Sequence, residues 1–186
     1  MDIREAIYTR RSVRAFTGAP VDEKTLRQLI DAAVQAPSAM NEQPWSFTVV
    51  RDKALLGRIA RAAKAYMLAS LVVDPGAGRY RDLLIDPEFD IFYKAPALIV
   101  VSAAKGHWAV EDCALAAATL MLAARAAGLG TCWIGFAQGW LGTADGKAAL
   151  DLPAAHRPVA PIIVGHPAAE PPPVPRREPT IRWIGA

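Results

Sequence analysis

Two clusters of polar side chains in this 186-residue chain could do chemistry, and both are built to bind rather than to attack. Arg10-Arg11-Ser12-Val13-Arg14 puts three guanidiniums and a hydroxyl into five residues. Such a set can hold a phosphate through paired, charge-assisted hydrogen bonds. The stretch Gln35 to Trp45 carries Ser38, Asn41, Glu42 and Gln43 within six residues, offering the hydroxyl and amide groups that read the edge of a heterocycle. Each cluster alone has a plainer account. Arginines at a helix end complement its dipole, and Ser and Asn close turns.

Nucleophilic and metal chemistry find little support. The histidines, His107, His156 and His166, are scattered, and with Cys113 and Cys132 they make neither a CxxC pair nor metal-ligand spacing. Both thiols and all three imidazoles read as structural. A GxGxxG dinucleotide fingerprint is lacking too.

The binding clusters need elements to position them. Asp2 caps a first helix with Ile3, Ala6 and Ile7 on one face, ending at the arginine strip. Asp22 caps a second, with Leu26, Leu29, Ile30, Ala33 and Val34 as its apolar stripe. Pro37 stops that helix and fixes the loop after it. Residues 46–51 read as a strand, and Asp52 caps a third helix whose Arg58, Arg61 and Lys64 form a solvated face. Residues 73–94 break the pattern. A connection this long is usually a functional lid or a mobile segment, and Tyr80, Phe89, Phe92 and Tyr93 could either stack on a planar ligand or anchor the loop. Residues 97–103 read as a buried strand and 108–127 as a helix apolar all round between Ala114 and Ala124, which requires cover on every side and suits contact with a second subunit. Gly128 caps it. In residues 128–136, glycines allow either a tight turn or a close approach to a flat ligand. A short helix is expected over 143–150. A strand follows over 159–164, where Pro161 predicts a sheet edge or a bulge. The tail from 167 onward is proline-dense, so an extended arm is expected, with Ile181, Trp183 and Ile184 needing something to pack against.

Length and a hydrophobic content of 53% suit one domain, residues 1–186, with 167–186 as its arm. A net charge of +3 in short clusters fits an anionic small molecule better than nucleic acid. The charged start and the absence of a long apolar run predict a cytoplasmic protein without a membrane span.

Taken in order and spacing, the arginine strip, the segment Ala36-Pro37-Ser38-Ala39-Met40-Asn41-Glu42-Gln43-Pro44-Trp45, residues 128–136 and residues 161–167 resemble the nitroreductase family of flavin mononucleotide (FMN) enzymes. The resemblance covers residues 2–167 and, more loosely, the tail. It implies an α+β fold with a central mixed, mainly antiparallel sheet surrounded by helices, in an intertwined homodimer with FMN at the subunit interface. By position it implies that Arg10 and Ser12, with Arg11 beside them, hold the phosphate and ribityl oxygens. Arg14 would lie beside flavin N1, Pro37, Ser38 and Asn41 would reach the flavin from the other subunit, and Ile134 and Gly135 would lie near N5. Arg177, with Arg176 beside it, would be a second phosphate arginine. The implied reaction is hydride transfer from NADH or NADPH through flavin N5 to an electron-poor acceptor such as a nitroaromatic or quinone, with no catalytic side chain and no metal. Other members with this scaffold dehalogenate, cleave flavin or dehydrogenate, and a non-catalytic flavin-binding redox sensor is a further alternative. One departure is visible: many relatives read the flavin's pyrimidine edge with an amide, yet residues 53–107 contain no Asn or Gln.

Overall fold

The computed structural model describes residues 1–71, 80–104 and 106–185. Its helices begin where side chains can cap them. Asp2, Asp22 and Asp52 accept the N–H of Glu5, Thr25 and Leu55 at 2.7, 2.8 and 2.6 Å, starting α1 (Ile3–Thr9), α2 (Glu23–Ala33) and α3 (Lys53–Ser70). Thr143 does the same for Gly146 at 3.1 Å. A short α4 (Arg81–Ile85) lies in the expected lid, whose residues 72–79 are outside the described set. The remaining helices are α5 (Ala109–Ala126), α6 (Gly135–Leu141) and α7 (Ala144–Ala149). Gly128, at φ 75°, supplies the left-handed cap after α5.

Four antiparallel strands, β1 (Trp45–Val50), β2 (Ala97–Ala103), β3 (Gly130–Trp133) and β4 (Arg157–Gly165), form one sheet in the order β1-β2-β4-β3. Alternation along β2 builds the two halves of the core. Ile99 and Val101, with Ile162 and Val164 of β4, pack under α2 and α5, while Leu98, Val100 and Ile163 pack under α3 and α6. The only parallel pairing among the described residues, Ser12 with Thr131, makes the sheet mixed at its β3 edge.

The structure takes one of the two alternatives Pro161 left open, corrects the role of Lys64 and leaves apolar helix residues uncovered in the single chain. Pro161 is not on an edge strand, because β4 lies between β2 and β3. The strand does hold a bulge, but at Val159, between Pro158 and Ala160, which pair with Ser102 and Val101. The Pro161 carbonyl accepts from Ile134 N–H at 2.8 Å. Because a strand residue's N and O face the same side, its missing N–H falls just past the last residue of β3, where no ladder partner is needed. Lys64 is more than part of a wet face: its Nζ donates to the Asp86 and Phe89 carbonyls and lies 5.7 Å from the Phe89 ring. Finally, the first helix buries only Ala6, leaving Ile3 and Ile7 exposed, and α5 leaves Val110 and Leu115 exposed.

Candidate functional site

The arginine strip leaves α1 and runs along the open edge of β3. Val13 N–H donates to the Thr131 carbonyl at 2.9 Å, and further on Phe16 bridges Pro167. The strip can lie this close because of Gly130, where a Cβ would stand 2.7 to 2.8 Å from the Val13 side chain. This glycine therefore admits the chain's own strip rather than a ligand, and Gly128 serves the helix end. Gly135 is different: nothing lies within 4 Å of where its Cβ would stand.

Beyond β3 the chain turns into α6, and a cleft of about 340 Å³ opens between this turn, Arg14 and the end of the lid segment. Arg14, Ile134 and Gly135 line it together with Tyr80, Tyr93 and Cys132, and no carboxylate is among its described lining residues. Aromatic packing forms its walls. Tyr80 meets Phe136 edge to face at 5.4 Å, and Tyr93 meets Phe89 in the same way at 5.6 Å. Of the four lid aromatics, Tyr80 and Tyr93 thus reach the cleft, whereas Phe92 is buried in the core. Ile134 spends its N–H on Pro161, whereas Gly135 and Phe136, in the first turn of α6, carry N–H groups that helix geometry does not satisfy internally.

Cys132 reports how the strip is arranged. Burial pushes its thiol up, against the lowering influence of the Arg14 charge, the Ser12 hydroxyl and the Arg10 charge. Residues singled out from the sequence thus act electrostatically on a thiol that had read as mere packing. Burial likewise raises the Tyr93 phenol, with the Arg14 charge opposing it. Arg11 points elsewhere. Its Nη1 donates to the Tyr8 and Arg10 carbonyls, both at 2.8 Å, closing the end of α1.

The Ser38 loop does not line this cleft. It is held against the start of α5, where the Asp112 carboxylate, 3% exposed, accepts Ala39 N–H at 3.0 Å. Ser38 Oγ accepts Gln43 N–H at 3.1 Å, and Asn41 Oδ1 accepts from Gln43 Nε2 at 2.9 Å. Pro37 and Asn41 are exposed. Arg177 lies in the exposed tail, remote from secondary structure. A single chain therefore distributes the expected site over three surfaces. Ser46 and His156 meet at 3.1 Å, a pairing no local signal announces, but neither lines the cleft. Among the described residues no group of His, Cys, Asp or Glu could hold a metal, and no helix is long and apolar enough to cross a membrane.

Comparison with known proteins shows the family and the fold. The model of the nitroreductase family matches residues 7–166. A Methanothermobacter thermautotrophicus protein provisionally named NADH dehydrogenase/NAD(P)H nitroreductase is 34% identical over 141 residues, 73% of this chain and 61% of that one. The chain thus matches less than two thirds of that relative's length. The 5,6-dimethylbenzimidazole synthase of Rhodospirillum rubrum is 32% identical over 179 residues, covering 88% of this chain and 81% of that protein. Among solved structures, a Desulfitobacterium hafniense nitroreductase with bound FMN superposes with a TM-score of 0.83 at 26% identity, over all of both chains.

Proposed function

The chain belongs to the nitroreductase family, and from that premise we propose that it is an FMN-dependent oxidoreductase that takes reducing equivalents from NADH or NADPH and delivers them to an electron-poor acceptor, a nitroaromatic or a quinone. The observation that carries the reading is the cleft itself, in which Arg14 and the bare backbone of Gly135 face one volume walled by aromatic rings, with no carboxylate among its described lining residues. A flat, anionic, hydrogen-bonding group suits that combination. FMN, when bound, supplies the two-electron centre.

The chain's own residues bind and tune. Arg10 and Ser12, with Arg177 from the tail, hold the phosphate, and Arg11 keeps the strip in place by closing α1. Each charge-assisted hydrogen bond contributes roughly 1.5–3 kcal/mol, so a few such bonds offset much of the association cost. Arg14 places positive charge where the reduced ring is negative and so favours the reduced state. Gly135, in the first turn of α6, offers a further backbone donor at the cleft. Pro37, Ser38 and Asn41 complete the site from a second copy of the chain in a cytoplasmic homodimer. That arrangement is supported by their separation from the cleft and by the uncovered Ile3, Ile7, Leu115 and Trp183.

The test is the visible spectrum of purified protein given FMN and desalted, then titrated anaerobically with NADH or NADPH before a nitroaromatic or quinone is added. Flavin bands that persist, bleach and return with acceptor are expected. Protein that emerges colourless overturns the reading. A second reading, flavin cleavage, is favoured by the long alignment to the Rhodospirillum rubrum synthase. It predicts that aerobic incubation with reduced FMN yields 5,6-dimethylbenzimidazole.

A further inference from the structure

Asp112 is a carboxylate buried in the first turn of α5, 3% exposed, on backbone that is itself fixed by the bond from its N–H to the Trp108 carbonyl at 2.9 Å. Its two oxygens differ. Oδ1 accepts the Ala39 N–H at 3.0 Å, while Oδ2 is buried without a hydrogen-bond partner among the described residues, and neither ion pair among those residues includes it. Burying a carboxylate with one oxygen unsatisfied is costly, so packing does not account for the group. The loop it holds does.

That loop needs holding. Met40, Asn41 and Gln43 take φ of 49°, 57° and 47°, a left-handed region disfavoured for Met and Gln. Within the loop the N–H groups of Asn41 and Glu42 close a short turn onto the Ser38 and Ala39 carbonyls at 3.1 and 2.9 Å. The Ala39 N–H, at the start of that turn, has no acceptor inside it. Asp112 supplies one.

The side chains of the loop are bonded through their acceptors. Ser38 Oγ accepts the Gln43 N–H, and Asn41 Oδ1 accepts from Gln43 Nε2. The Ser38 O–H and the Asn41 amide N–H groups are thereby left as donors on one fixed loop, and Asn41 is exposed. Donors held in this way suit a ligand edge made of acceptors.

We propose that Asp112 is a positioning residue for the flavin site of the partner subunit: from the rigid start of α5 its carboxylate holds the Ser38 loop in the strained form that presents Ser38 and Asn41 across the interface. This rests on the FMN and homodimer reading above. The effect of Asp112 is on the cofactor bound by the other chain, and it passes through the Ala39 N–H.

The experiment uses mixed dimers. Chains carrying Asp112→Ala and Arg10→Ala, each with its own affinity tag, are co-expressed, and the mixed dimer is isolated through both tags and titrated with FMN beside wild type, both homodimers and Asp112→Asn. Thermal melting shows which variants fold, and Asp112→Leu, which fills the site without an acceptor, replaces Asp112→Ala if that chain does not. Asp112→Ala alone should weaken FMN binding roughly tenfold, the worth of one charged hydrogen bond. Asp112→Asn keeps an oxygen for the Ala39 N–H and should restore most of that binding. In the mixed dimer one site joins an intact Arg10 to an intact Ser38 loop from the other chain. One FMN per two chains should therefore bind as in wild type, although the chain supplying that Arg10 still lacks the Asp112 carboxylate. A mixed dimer with no wild-type site confines the effect to the chain that carries the substitution and overturns the proposal, as do an Asp112→Ala homodimer that binds FMN like wild type and an Asp112→Asn protein no better than Asp112→Ala. Wild-type protein that retains no FMN, or that is a monomer, overturns the reading beneath it as well.

Discussion

Arg10, Arg11 and Arg14 are the same residue type within five positions, and the structure gives them different work. Arg11 is bonded to the carbonyls at the end of α1, so Arg11→Ala should lower stability by about 1–3 kcal/mol in urea unfolding while affecting FMN binding less than Arg10→Ala does. Arg10→Ala should weaken FMN binding roughly 10- to 100-fold, the worth of one charged hydrogen bond, measured by fluorescence titration. Cys113 makes a prediction about pH. Burial, helped by the neighbouring Asp112 charge, pushes its thiol from 9.0 up to about 11. The unfolded chain then releases this proton first, so the group's stabilising contribution is full below pH 9 and is lost as pH rises towards 11. Wild-type protein should therefore lose more urea stability between pH 8 and pH 10.5 than Cys113→Ala does, by on the order of 1–2 kcal/mol.

Helix boundaries were legible because their causes are local. Three aspartates cap where the sequence places them, and Gly128 ends α5. The Ser38 loop was legible as a fixed polar loop, but its anchor was not, since Asp112 is 73 residues away from Ala39. Met40, Asn41 and Gln43 all take positive φ there, so the loop depends on being held. Asp112→Ala should leave Ala39 N–H without its acceptor, cost about 1–3 kcal/mol and speed amide exchange across residues 39–43. Gly130 belongs to the same scale. Gly130→Ala puts a methyl into Val13, so the strip must lift from β3, and FMN retention should fall together with stability.

The whole chain leaves apolar surface that its own fold does not cover. Ile3 is 68% exposed, and Trp183 and Ile184 in the tail are 85% and 96% exposed. A groove of about 290 Å³ between α1 and α5, lined by Ile3, Ala6, Leu122 and Ala126, adds to it. Surface of this kind marks association. Light scattering should give about twice the 19.9 kDa chain mass, and Ile7→Glu, on the open face of α1, should shift the protein towards monomer and reduce FMN retention with it. If the variant is monomeric yet binds FMN as wild type does, the Ser38 loop is not part of the site.

By itself the sequence determined the caps, the strands at 97–103 and 159–164 and the polar clusters, because periodicity, capping and turn chemistry act over a few residues, while the α+β class followed from the resemblance to the nitroreductase family. Tertiary structure decided which members of those clusters share a volume. It drew Arg14 and Gly135 to one cleft with Tyr93 and Cys132, turned Arg11 back onto its helix and moved Pro161 to the sheet interior. Those outcomes depend on strand order and on pairings such as Ser12 with Thr131, which lie far apart along the chain and are fixed only when the sheet closes.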